Sequence, residues 1–290
     1  MDPVQRALWF IESHFGQDIT LDTVAAVAGV SRYHLSRAFG YATGHSLMRY
    51  LRARRLTEAA RALVNGAPDI LAVALDAGYG SHEAFTRAFR DQFGLTPESV
   101  RSQGHLDNLQ PMEPIRMEET LTTLAPPRFV DGKALLIAGL GERYDYEAAP
   151  AIPAQWQRFM PHLGRFPGQI GSTAYGVCCN SDDAGNYEYI CGVEVGDFSG
   201  LGKEWTQVRI PEQHYAVFVH RDHIAKIRST WHTIWNKWLP ESGHQVVDAP
   251  FYERYGEEFN STTGMGGLEI WLPVTVSHWP QAKDLGDTRS

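Results

Sequence analysis

The chain of 290 residues has no run of about 18 apolar residues, so no membrane-spanning helix is expected. Its N-terminus, MDPVQRALWF, lacks the basic-then-apolar layout of an export signal, which points to the cytoplasm. Cysteine is scarce, at three residues. Cys178 and Cys179 are neighbours that would face opposite sides of a strand and Cys191 is left over, so reduced packing residues are expected rather than a disulfide framework. The chain has no P-loop, no G-x-S-x-G elbow and no H-E-x-x-H, and the G-L-G-E at 139–142 is too short to be a nucleotide fingerprint. His220-x-x-His223 finds no nearby cysteine or third histidine to complete a metal site. The expectation is therefore a protein with no cofactor, no metal and no catalytic role.

What is present is unevenly distributed. The formal net charge is −8, yet residues 1–110 hold eleven arginines and eleven acids, so the whole excess of acid lies beyond them. Residues 31–61 contain seven arginines against the single acid Glu58, a local basic field suited to tracking phosphates, or else a solvated helix face.

The same stretch belongs to a repeat. VSRYHLSRAF at 30–39 returns as GSHEAFTRAF at 80–89, with Ser31/Ser81, Arg37/Arg87, Ala38/Ala88 and Phe39/Phe89 identical. Upstream, LDTVAAVAGVS lies over ILAVALDAGYGS, each an alanine-rich helix ending at a glycine, Gly29 or Gly78. Ser31 and Ser81 then suit the N-cap of the next helix. Helix, glycine turn and capped helix form a helix-turn-helix, made twice. Helical spacing sends Leu35, Ala38 and Phe39 inward in one copy and Phe85, Ala88 and Phe89 inward in the other. That leaves Arg32, Tyr33, Ser36 and Arg37, and His82, Glu83, Thr86 and Arg87, outward. Between the copies, residues 45–63 form a helix without proline or glycine, long enough to hold both readers on one side of a duplex.

Residues 5–103 resemble the DNA-binding domain of the AraC/XylS family of transcription regulators, through GHSLMRYLRARRL at 44–56 and AGYGSHEAFTRAFRDQFGLTPESVR at 77–101. The resemblance implies double-stranded DNA as partner, read in two adjacent grooves. The expected contacts are Arg32, Tyr33, Ser36, Arg37, Arg49 and Arg55 for the first copy and Ser81, His82, Glu83, Thr86 and Arg87 for the second. It also implies contact with RNA polymerase, and the paired readers suggest a monomer on an asymmetric site.

A proline-rich stretch follows, and composition then changes to alternating β-branched and aromatic runs, with seven of eight tryptophans beyond residue 150. WQRFMPHLG at 156–164 and WNKWLPESG at 235–243 share a pattern at an offset of 79 residues. Flanking strand-like runs make the unit β-α-β-β, duplicated, with a groove between the copies for a small ligand. This half, from about 127 to 276, is similar to the GyrI-like effector-binding domain. The overall expectation is a multidomain protein: an all-α tandem helix-turn-helix domain (1–104), a linker (105–126), an α+β domain of duplicated β-α-β-β units (127–276) and a tail (277–290).

In that family an acidic residue in an aromatic-walled pocket can bind lipophilic cations. The strands offer Glu269 and Glu188, read as equivalent positions of the repeat, with Glu269 favoured because alternation sets it beside Trp271. Tyr175, Tyr187, Tyr189, Trp205, Trp231 and Trp271 are candidate walls. Two rival uses stay open: a small-molecule hydrolase with Glu269 and Tyr175 or Tyr252, and a protein-interaction module.

Overall fold

The computed structural model describes residues 2–115, 121–182 and 184–275; the expected tail, 277–290, lies outside them. The chain forms two compact units. The first takes residues up to 120 together with 144–150 and 181–187, and the second takes 121–143, 151–180 and residues from 188 on.

The first unit is helical: α1 (Pro3–His14), α2 (Leu21–Ala28), α3 (Arg32–Thr43), α4 (Leu47–Val64), α5 (Ile70–Asp76), α6 (His82–Phe93) and α7 (Pro97–Gln103). Each begins on a side chain that accepts a hydrogen bond from a first-turn amide: Asp2, Thr20, Ser31, Ser46, Asp69, Ser81 and Thr96. Such caps satisfy amides that a helix leaves unpaired, at about 1 kcal/mol each. Gly29 and Gly78, with φ of 73° and 83°, turn the chain out of α2 and α5 in the left-handed region. Leu35, Ala38 and Phe39, and Phe85 and Phe89, are buried as the spacing requires.

Helix α4 is held through its polar residues as well. Arg54, only 3% exposed, pairs with Glu12 at 2.9 Å and Glu58 at 3.1 Å and donates to the Met112 carbonyl at 2.8 Å. Tyr50 donates to Glu12 at 2.6 Å. The stretch expected to be a linker is anchored here: the Met112 amide donates to Thr57, the Ile115 amide to Tyr50, and Leu109 joins the apolar cluster under α6.

The second unit has one eight-stranded sheet with helices α8 (Ile152–Phe159), α9 (Ile227–Thr233) and, after a π-turn over Ile234–Trp238, α10 (Leu239–Ser242). Its strands are β1 (Arg128–Gly132), β2 (Leu135–Tyr144), β3 (Gln169–Cys179), β4 (Tyr187–Val195), β5 (Thr206–Ile210), β6 (Gln213–His220), β7 (Phe251–Tyr255) and β8 (Leu268–Pro273). The repeat is therefore β-β-α-β-β, one strand longer than the sequence reading. The added strands are exchanged: β1 pairs with β6 of the other half, and β5 with β2. The order β1-β6-β8-β7-β3-β4-β2-β5 reads the same from either end once the halves are swapped. The pseudo-twofold axis passes between β3 and β7 at the pair Tyr175↔Arg254, two residues separated by the offset of the sequence repeat.

Candidate functional site

Two sites follow from the two units. On α6, His82, Glu83 and Arg87 of the second predicted reading face are exposed to solvent, while Thr86 is half-buried with its hydroxyl turned inward. Ser81 caps α6 by accepting from the Ala84 amide at 3.2 Å. The Glu83 carboxylate accepts from its own amide and from the Ser81 hydroxyl, which hold it below the usual carboxylate range.

The first reading face differs from expectation. Arg32 is exposed and faces Asp22 at 3.7 Å, while Tyr33 and Ser36 are half-buried. Arg37, expected outward, is 1% exposed, and His34 is buried too. Residues 144–150 and 181–187 of the same unit cover it: the Arg37 guanidinium lies 5.2 Å from the Tyr187 ring centre and 5.6 Å from that of Tyr33, and donates to Ser181 and to Tyr146 at 3.5 Å. Arg49 pairs with Asp145 at 2.7 Å and Glu147 at 3.0 Å. Arg55 donates to the carbonyls of Phe15 and Gln17, at the C-terminal end of α1 where a cation is favoured. The basic stretch 31–61 is thus largely paired within the unit, since its arginines find closer acceptors than solvent.

In the second unit the carboxylate set among aromatic donors is Glu253 on β7, a residue the sequence reading did not select. It is 7% exposed. Trp231 of α9 donates to its Oε1 at 2.9 Å, and Tyr189 of β4 and Tyr255 of β7 donate to its Oε2 at 2.9 and 2.7 Å. Trp156 of α8 donates to the Tyr189 hydroxyl at 3.1 Å and packs edge-on to Tyr255 at 5.0 Å. Gly176, opposite Glu253 in the sheet, is what lets Tyr189 reach across, because a Cβ there would collide with its hydroxyl. Burial pushes the Glu253 carboxyl up, only partly countered by the hydrogen bonds from Trp231, Tyr255 and Tyr189 and by nearby His220. Burial and the neighbouring Glu253 likewise push both phenols up. Among the described residues no arginine or lysine pairs with Glu253. A carboxylate so placed is costly when ionised, and an entering cation would offset the cost. Its position inside the strand was legible in part: in FYERY, Phe251, Glu253 and Tyr255 alternate onto one face, an acid between two aromatics.

Tyr189 and Trp231 are the predicted walls that the structure brings to Glu253. Glu269, Trp271 and Tyr175 lie on the opposite face of the sheet, as alternation from Glu253 to Arg254 requires. There Glu269 pairs with Arg128 and, at 3.3 Å, with Arg254, and accepts from the Trp271 indole at 3.0 Å. Burial would raise its carboxyl, but Trp271, Arg128 and Arg254 outweigh burial and hold it low. Its counter-ions are already in place. Glu188 is not its repeat mate: Arg254 pairs with Glu269 as Tyr175 pairs with Gly192, so distance from the axis assigns Gly192 to that role. Glu188 accepts from Asn180 at 2.6 Å. Trp205 stands apart, packed on Phe166 and His162 at 4.8 Å. His220 is spent on Thr230 and the His223 carbonyl, and among the described residues no cluster could hold a metal and no helix is long and apolar enough to cross a membrane.

Residues 125–275 match the GyrI-like small molecule binding domain, and residues 24–103 match a helix-turn-helix domain. The chain is 37% identical over 141 residues to the right origin-binding protein of Escherichia coli K12, a match spanning 49% of this chain and 48% of that one. It thus spans about half the length of that relative. It is 38% identical over 98 residues to the regulatory protein SoxS of Escherichia coli K12, covering 34% of this chain and 92% of SoxS. A solved structure described as SAV2435 bound to tetraphenylphosphonium is 21% identical, with a TM-score of 0.43 and coverage of 52% of this chain and 94% of that one.

Proposed function

The chain belongs to the AraC/XylS family and carries a GyrI-like small-molecule-binding domain, and from that premise we propose that it is a DNA-binding transcription regulator whose effector is a lipophilic cation held at Glu253. The observation that carries the ligand half is Glu253 itself, buried among aromatic donors with no counter-ion among the described residues. Aromatic faces and a carboxylate together favour a delocalised cation, through cation–π attraction and charge pairing in a site of low dielectric. Tyr189, Trp231, Tyr255 and Trp156 form its walls, and the ligand enters when Trp156 or Trp231 swings aside. On DNA, His82, Glu83, Thr86 and Arg87 read one major groove, and the protein acts as a monomeric activator in contact with RNA polymerase, within the cytoplasm.

Tetraphenylphosphonium, a positive charge shielded by phenyl rings, is the probe. Calorimetry on the full chain should detect its binding, and Glu253→Gln should weaken it about tenfold or more, roughly 1.4 kcal/mol, while a neutral triphenylphosphine oxide changes little. A parent protein that does not bind the cation, or a Gln variant that binds it equally well, refutes the assignment. The direct hydrogen bonds from Tyr189 and Tyr255 to Glu253 also favour a second reading, a hydrolase acting on a bound electrophile through this Glu–Tyr set; turnover of a bound compound by the parent and not by Glu253→Gln would support it.

A further inference from the structure

Helix α3 carries a feature that its duplicate lacks. After the shared Arg-Ala-Phe, the second copy continues with Arg90, but the first continues with Gly40. A glycine inside a helix costs about 1 kcal/mol relative to alanine, and its flexibility serves no turn here. Its surroundings supply the reason: a Cβ at Gly40 would collide with the Tyr146 ring. Tyr146 is 5% exposed and packs edge-on to Tyr41 at 5.6 Å. The segment 144–150 is thus fitted to α3 rather than resting on it.

The charges agree with the shape. On either side of Tyr146, Asp145 pairs with Arg49 at 2.7 Å, and Glu147 pairs with Arg49 at 3.0 Å and with His45 at 2.6 Å. From the segment 181–187, Ser181 and Tyr187 enclose the Arg37 guanidinium. The groups engaged, Arg37 and Arg49, are among those expected to meet DNA, and what they meet are carboxylates, a hydroxyl and aromatic faces. Carboxylates opposite arginine occupy the role of phosphate oxygens.

We propose that residues 144–150, with Ser181 and Tyr187, form an intramolecular plug on recognition helix α3, with Asp145 and Glu147 standing in for DNA phosphates, so that this conformation withholds the first reader while α6 stays exposed. The proposal rests on the DNA-binding role given above. An occluded state lowers apparent affinity by the fraction of molecules that are competent, so a plug seated about nine-tenths of the time costs about tenfold.

The test measures binding of the full chain to a duplex selected by it from a random pool, by fluorescence anisotropy at fixed salt. Gly40→Ala drives a methyl into Tyr146 without altering charge, and Tyr146→Ala removes the ring; folding of both is checked by circular dichroism. Asp145→Asn with Glu147→Gln removes the phosphate mimics. Each should tighten binding about tenfold. Neutralising two exposed carboxylates outside these segments, Asp222→Asn with Glu241→Gln, should shift it by no more than about twofold, the size expected of a change in net charge alone. Gly40→Ala and Tyr146→Ala binding like the parent would overturn the plug while leaving the DNA-binding role intact. Absence of DNA binding by parent and variants alike would instead sink that role, and the plug with it.

Discussion

Glu253, Glu269 and Glu12 are glutamates at least partly withdrawn from solvent, yet their electrostatics are opposite, and the difference lies in their neighbours. Among the described residues Glu253 accepts only from neutral donors, and it has its pKa raised; Glu12, despite the opposing effect of burial, is held low by Arg54 and Tyr50, and Glu269 by Trp271, Arg128 and Arg254. The signs for stability are therefore opposite. Folding favours the protonated form of Glu253, so its contribution is present below the ordinary carboxylate pKa and is lost as pH rises through the raised value. Glu12 and Glu269 favour the ionised form, so theirs is present above the ordinary pKa and is lost as pH falls through the lowered one. Glu253→Gln should accordingly gain stability relative to the parent as pH rises from acid to neutral. Urea unfolding followed by tryptophan fluorescence at acid and neutral pH measures this, because seven of eight tryptophans lie beyond residue 150. A difference that is flat or reversed with pH would contradict the environment assigned to Glu253.

Helices show a matching division of labour. Those of the first unit all start on a hydrogen-bonding side chain, whereas α8, which brings Trp156 to the Glu253 site, starts at Ala151 with no side-chain cap. It is eight residues long and lies next to a short 3-10 turn over Met160–His162. An uncapped short helix opens locally at lower free energy, which is what a cover over a closed site needs. Hydrogen exchange should find amides of α8 exchanging at least about tenfold faster than those of α4, equivalent to roughly 1.4 kcal/mol less protection. Equal protection would remove α8 as the route of entry. Caps and helix ends were readable in the sequence, since Ser31, Ser81, Gly29 and Gly78 act through residues three or four positions away. The strands β1 and β5 were not, because each is completed only by pairing with the opposite half of the repeat.

For the whole molecule, the duplication in each unit has different consequences. In the first, two copies with a common inside present unlike faces: α6 is open and α3 is engaged with residues of 144–150 and 181–187. Arg87→Ala should weaken binding to the selected duplex about tenfold, in the range of one lost base or phosphate contact, and reduce the salt dependence of the affinity. An unchanged affinity and salt slope would refute α6 as a reader. In the second, the offset that relates Tyr175 to Arg254 relates Ala174 to Glu253, and this difference between repeat mates makes one carboxylate site rather than two. Periodicity, caps and internal repeats sufficed to derive the helix-turn-helix pair, the α+β class and the presence of two units, because these depend on neighbours within one or two turns or strands. Which acid is stripped of counter-ions, and which arginines are covered, was settled only by tertiary structure. Arg128 lies far from Glu269 in the chain, and Tyr146 far from Arg37, and no local pattern records who arrives to neutralise a buried charge.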